Sequence, residues 1–181
     1  KKQMKEIDQL NKNLKNLRVL KGSEVDILPD GSLDYPEAIL VEFDFVIASI
    51  HSKFNMSEKE MTQRIATALK NKYVTMIGHP TGRLLLSREP YPVNLHELVK
   101  VAADYGKAME LNANPHRFDI DWKICRFAKE KKVPVSINPD AHNMDGIEDI
   151  RYGVGIARKG WLTKKDVLNT RSLKEIMAFL K

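Results

Sequence analysis

The sequence predicts an α/β fold around a parallel sheet, open or closed into a barrel, and two patterns predict it. Short apolar, β-branched runs alternate with longer stretches of helical period, which is how βα units read. The runs are continuous rather than alternating in polarity, as in strands covered on both faces. About five βα units fit the 181 residues, whereas a complete eight-unit barrel takes about 250.

The elements follow in order. A helix is expected over 2–14. A strand over 17–21 (LRVLK) leads into 24–28 (EVDIL), and further strands are expected over 44–50, 73–78, 107–112 and 133–138. Helices are expected over 57–71, 94–105, 120–131, 146–159 and 172–180. Three of them open on a capping box, Ser57 with Glu60, Asn94 with Glu97, and Ser172 with Glu175. In each box the first side chain accepts from an orphan helix N–H and the acid reciprocates. Gly106 is placed to end its helix in a left-handed conformation. Residues 80–93 form a long loop with three prolines, of the kind that is often functional.

Composition narrows the class. With 43% hydrophobic and 30% charged residues the chain reads as one soluble globular domain. No apolar run approaches the roughly 20 residues of a membrane span. The opening KKQMKEIDQLNKNLKNL has no apolar core of a secretory signal. Cys125 is the single cysteine, so no internal disulfide forms, which fits a reducing, cytoplasmic setting. The net charge of +6 suits a polyanionic partner such as nucleic acid. The charge reads as spread along the chain, with Lys129, Lys131 and Lys132 as a solvated helix face. Trp122 and Trp161 read as packing residues.

The metal-capable side chains sit where the strands end. DFVIASI runs into His51, YVTMIG into His79, and VPVSINP into Asp140, with His142 two residues on. Glu24 lies inside the first apolar run. In parallel α/β folds the carboxyl ends of the strands converge on one mouth, so these residues are expected to meet there. One strand-end histidine is most simply a hydrogen-bonded ring. Three of them beside Asp140 and Glu24 point to a centre for one or more cations. An Asp-x-His pair on an extended segment directs both side chains to one face. Imidazole with carboxylate suits Zn²⁺, Mn²⁺ or Fe, and a set this rich exceeds one structural zinc site. His96 and His116 lie outside this set.

The segments GSEVDILPDGSLDYP, FDFVIASIHSKF, GHPTGRLLLSREPYPV, ELNANPHRFDI, INPDAH and YGVGIARKGWL together resemble the PHP (polymerase and histidinol phosphatase) domain at the C-terminus of bacterial family X DNA polymerases. The resemblance runs from about residue 17 to the end. It implies a distorted seven-stranded, TIM-like (β/α) barrel with up to three Mn²⁺ or Zn²⁺ ions at its C-terminal mouth. Glu24 would bridge two ions, His51 and His79 would complete one of these, Asp140 would bind the other, and His142 would bind the third. The family's earlier His-x-His motif, a following acid and a further histidine have no counterpart here. Residues 1–181 are therefore expected to be a fragment of the domain, holding fewer ions and inactive alone. The implied activity is hydrolysis at DNA 3′ ends, as 3′–5′ exonuclease, 3′-phosphatase or phosphodiesterase, in DNA repair. The implied partners are gapped or single-stranded DNA and the polymerase region of the same parent chain, in a nucleoid-associated, cytoplasmic protein. Candidate substrate contacts are Arg83, able to fork onto a phosphate, Lys53, Arg117, and Asn112 at the end of the fourth strand. The alternatives are a histidinol-phosphate-type small-molecule phosphatase and a non-catalytic module of the polymerase.

Overall fold

The structure is a computed structural model that describes residues 2–180. Helix α1 (Lys2–Asn13) is followed by β1 (Gly22–Asp26), α2 (Glu37–Leu40), β2 (Phe45–Ser49), α3 (Glu58–Leu69), β3 (Met76–Ile77), α4 (Leu95–Asp104) and β4 (Ala108–Asn112). Then come α5 (Trp122–Glu130), β5 (Val135–Asn138), a 3₁₀ turn (Asp145–Asp149) running into α6 (Ile150–Lys159), a 3₁₀ turn (Leu168–Thr170) and α7 (Leu173–Phe179).

Local signals account for most boundaries. Ser57 and Ser172 form complete capping boxes, whereas Asn94 accepts from the Glu97 N–H without a returned bond. Gly106 has φ +64° and closes α4 in a Schellman turn, with Lys107 N–H donating to Ala102 O at 2.8 Å. The expected strand over 17–21 is not formed. The Asn11 side chain takes both the N–H and the carbonyl of Val19, at 2.8 Å each, so that segment has no free ladder to offer. The third strand is shorter than expected because Tyr73 and Val74 turn back on Asn71. The start of the helix expected at 146 winds as 3₁₀.

The five strands form one parallel sheet in the order β1-β2-β3-β4-β5. Consecutive parallel strands joined by crossovers of one hand place the crossover helices on the same face. That face carries Val25, Val46, Ala48, Ile50, Ile77, Met109, Leu111, Val135 and Ile137, packed on buried residues of α3, α4, α5 and α6. The expectation of strands covered on both faces holds for β3, β4 and most of β5, and is corrected for β1 and β2, whose inner-face residues are partly exposed. The opposite face is only partly covered, where Ile176, Phe179 and Leu168 pack on Met76, Ala108 and Ile47. On this face Glu24, Ile47, Met76 and Ala108 lie in one register row, and Glu110 and Asn138 follow toward the carboxyl ends of β4 and β5. This inner face borders a cavity of about 330 Å³. Among the described residues no helix is long and apolar enough to cross a membrane. Trp161 is not a packing residue, since it is 72% exposed.

Candidate metal centre

Glu24 projects from the inner face of β1, and the register pairs it with Ile47 of β2. His51 follows β2 by two residues and His79 follows β3 by two, so both rings reach the carboxylate from neighbouring strand ends. His79 Nε2 lies 2.9 Å from Glu24 Oε1, and His51 Nε2 lies 3.4 Å from the same oxygen. The three ligand atoms fall within 4.8 Å of one another, a separation that one cation can bridge. Hydrogen bonds from His51 and then His79 hold the Glu24 carboxyl far below the ordinary carboxylate range. In return Glu24, assisted by Asp26, raises His51 to about 9 against the loss from burial. Asp26 Oδ1 contacts His51 Nδ1 at 2.5 Å. That bond fixes the ring so that Nε2 faces Glu24, the arrangement in which a carboxylate orients a ligating imidazole. The donor set of one carboxylate and two imidazoles, with the second nitrogen of His51 already engaged, fits a divalent transition metal.

A second layer secures His79. Its backbone sits at φ +26° and its N–H donates to Glu110 Oε2 at 2.6 Å. Glu110 is buried in β4 and also accepts from Asn138 at 2.8 Å and from Asn112 at 3.3 Å. Burial lifts its pKa, and these N–H donors oppose the rise. His79 is 2% exposed and its Nδ1 has no hydrogen-bond partner.

Asp140 lines the same cavity as Glu24, His79 and Glu110. Its Oδ2 accepts from Asn112 at 3.1 Å and pairs with Arg117 Nε at 3.2 Å. The segment 139–142 is not extended as expected, because Asp140 is left-handed at φ +52°. His142 instead folds back, with Nδ1 2.8 Å from the Asp140 carbonyl oxygen, and its side chain is 84% exposed. His142 lies on a neighbouring cavity with Asp140, His116 and Arg117. So Glu24, His51 and His79 form one compact set, Asp140 stands on its rim, and His142 stands outside it.

The other candidates have defined partners. Arg83 Nε donates to the Arg117 carbonyl at 2.7 Å and its Nη2 donates to the Phe118 carbonyl, so it braces the 114–118 loop. Lys53 is exposed two residues beyond His51, at φ +56°. Asn112 is fully buried, and its Oδ1 accepts from the Asn114 N–H. Arg117 keeps a buried Nη1 without a hydrogen-bond partner. Four residues were not singled out from the sequence. Asp26 shares the face of Glu24 by the two-residue strand period, which made it findable. Glu110 is an acid inside an apolar strand run, a signal of the same kind as Glu24. Asp119, which clasps the N–H and hydroxyl of Thr81 at 2.8 Å each, carries no such signal. Neither does Arg64, which is 2% exposed and donates to the carbonyls of Ile27, Leu28 and Ser52.

No family model matches the chain. It is similar to the DNA polymerase/3′-5′ exonuclease PolX of Bacillus subtilis (strain 168), with 51% identity over 181 residues, all of this chain and 32% of that protein. A probable phosphatase of Thermoanaerobacter sp. (strain X514) is 31% identical over 182 residues, 95% of this chain and 71% of that protein. A probable phosphatase of Caldanaerobacter subterraneus subsp. tengcongensis is 35% identical over 139 residues, 71% of this chain and 52% of that protein. The chain thus spans about a third of the Bacillus relative and about seven tenths of the Thermoanaerobacter one. On that coverage and identity, the chain belongs to the family of the Thermoanaerobacter probable phosphatase.

Proposed function

We propose that the chain is part of a metal-dependent phosphoesterase of the PHP type, acting on DNA 3′ ends within a family X DNA polymerase. The observation that carries this reading is the Glu24–His51–His79 cluster at the carboxyl edge of a parallel sheet, with Asp140 on the same cavity. The single-sided helix layer and unbroken strand order support the sheet as an arc of the seven-stranded barrel. The 51% identity to a protein named for polymerase and 3′-5′ exonuclease activity supports the DNA substrate and the attached polymerase region.

Glu24, His51 and His79 would hold a Mn²⁺ or Zn²⁺ ion, with Asp140 and His142 serving further ions. A divalent cation there supplies Lewis acidity toward the phosphoryl group and neutralises its charge. The protein's own groups set the geometry. Asp26 orients His51, Glu110 fixes the backbone of His79, and Asn112 and Arg117 hold the Asp140 carboxylate. Arg117 and Lys53 are the cations proposed to meet substrate phosphate. Arg83 contributes by bracing the loop that carries Arg117.

The test uses the parent protein with Mn²⁺ and a 3′-phosphorylated oligonucleotide. His79→Ala or Asp140→Ala is expected to abolish 3′ hydrolysis and leave nucleotide transfer largely intact. Equal loss of both activities would show that no separate site exists. A second reading, a small-molecule phosphatase, draws on the probable phosphatase that this chain matches over 71% of its length. Turnover of histidinol phosphate well above that of the oligonucleotide would favour it.

A further inference from the structure

We propose that the outer surface joining α5 to the end of α6 is a second nucleic-acid site, which holds a single-stranded segment by phosphate contacts and by stacking a base on Trp161. Of the chain's 30 basic and 24 acidic residues, nine and three fall within 121–132 and 158–166, leaving twenty-one of each in the remaining 160 residues. These two short segments therefore carry a net +6 between them, while the excess of seven basic over two acidic residues in 1–21 is offset by acids elsewhere in the chain.

Folding brings the two segments together. A Cβ on Gly160 would lie 2.8 Å from Cys125 Cβ and from the Trp122 carbonyl oxygen, so the end of α6 rests directly on α5. Lys129 Nζ donates to the Trp161 carbonyl at 2.5 Å. Lys159 and Lys123 stand 5.3 and 5.8 Å from the Trp122 ring, and Arg126 stands 5.9 Å from the Trp161 ring. The three acids are already engaged. Asp121 caps α5, Glu130 pairs with Arg126, and Asp166 holds Thr163 and Lys129. Such a field attracts a polyanion and gives binding that weakens with salt.

Trp161 makes the partner single-stranded. Its backbone has φ +64° at the turn that closes α6, a position where glycine is the residue without steric cost. The indole gains little burial in exchange, being 72% exposed. The turn is nonetheless fixed, with Trp161 N–H on Arg158 O and Leu162 N–H on Ala157 O, each at 3.0 Å. A large π-face carried at the surface on a fixed turn, with Arg126 against it, is a stacking platform for unpaired bases, and duplex bases cannot reach it. The surface lies on the helix side of the sheet, away from Glu24, and it rests on no part of the metal-centre reading.

The test uses the whole protein in EDTA with a single-stranded oligonucleotide carrying 5-iodouracil, photocrosslinked and mapped by mass spectrometry. A crosslink on the peptide containing Trp161 is expected. Trp161→Ala should remove it and Trp161→Phe should retain it. Lys123→Glu with Lys159→Glu should lower its yield at least about tenfold and flatten its dependence on salt. Hydrolysis of a small phosphate ester, assayed separately with Mn²⁺ and without EDTA, should be unchanged in all three variants. Crosslinks confined to other peptides, or a Trp161 crosslink untouched by the double reversal, would overturn the proposal. So would equal competition from polyglutamate, which shares the charge and lacks the bases.

Discussion

Glu24 is the residue on which the centre turns, because two imidazoles from different strand ends share one of its oxygens. Its pKa is depressed below 4.5, so the stability it contributes is present above that value and is lost as the pH falls. His51 is raised from 6.5 to about 9, so its share is complete below 6.5 and fades as the pH rises through 9. In the cation-free protein, Glu24→Gln should therefore lower the thermal midpoint near neutral pH, with the gap narrowing above about pH 9. Thermal scans in EDTA at both pH values check this. A cation must also displace the His51 proton. Affinity for Mn²⁺ or Zn²⁺ should rise with pH toward about 9, with proton release, measurable by calorimetry in buffers of different ionisation enthalpy. Glu110 gives a sharper contrast, because His79 N–H, Asn138 and Asn112 all donate to it. Glu110→Gln would set an amide N–H against a donor, and should cost about 1–3 kcal/mol in urea unfolding.

Between elements, the loops that carry the ligands are held by side chains from elsewhere. Arg64, in α3, reaches the loop after β1 through Ile27 and Leu28 and the loop after β2 through Ser52, the residue next to His51. Arg64→Met keeps the length and removes every donor, leaving the buried Ile27 carbonyl without its Arg64 partner, while Leu28 O keeps the Gly31 N–H. A loss of about 1–3 kcal/mol is expected from denaturant unfolding, together with weaker cation binding because the His51 loop loosens. The capping boxes act on a smaller scale. Ser57→Ala should cost about 1 kcal/mol, and Asn94→Ala less, since its box is only half formed. Caps, glycine turns and strand cores were legible from local residues. The strand expected at 17–21 failed because Asn11, from a helix several residues away, claimed the backbone of Val19.

Across the whole molecule, the two faces of the sheet carry unequal loads. Leu98 of α4 is fully buried on the helix side, whereas Ile176 of α7 is partly exposed on the inner face. Leu98→Ala should cost about 2–5 kcal/mol, and Ile176→Ala only about 1 kcal/mol, compared by chemical denaturation. The inner face accordingly keeps its polar residues, Glu24, Glu110 and Asn138, around a cavity rather than a packed core.

The sequence by itself determined the parallel α/β class, the count of five strands, and the placement of His51 and His79 just beyond strand ends. These follow from hydrophobic period, β-propensity and capping chemistry, all of which act over a few residues. Only the tertiary structure decided which groups meet. Register across β1 to β3 brought Glu24, His51 and His79 within reach of one another. A left-handed Asp140 turned His142 outward, and burial drew Glu110 beneath His79. Those outcomes depend on strand pairing and on packing between distant segments, where each contact is weak and no short stretch of chain encodes the sum.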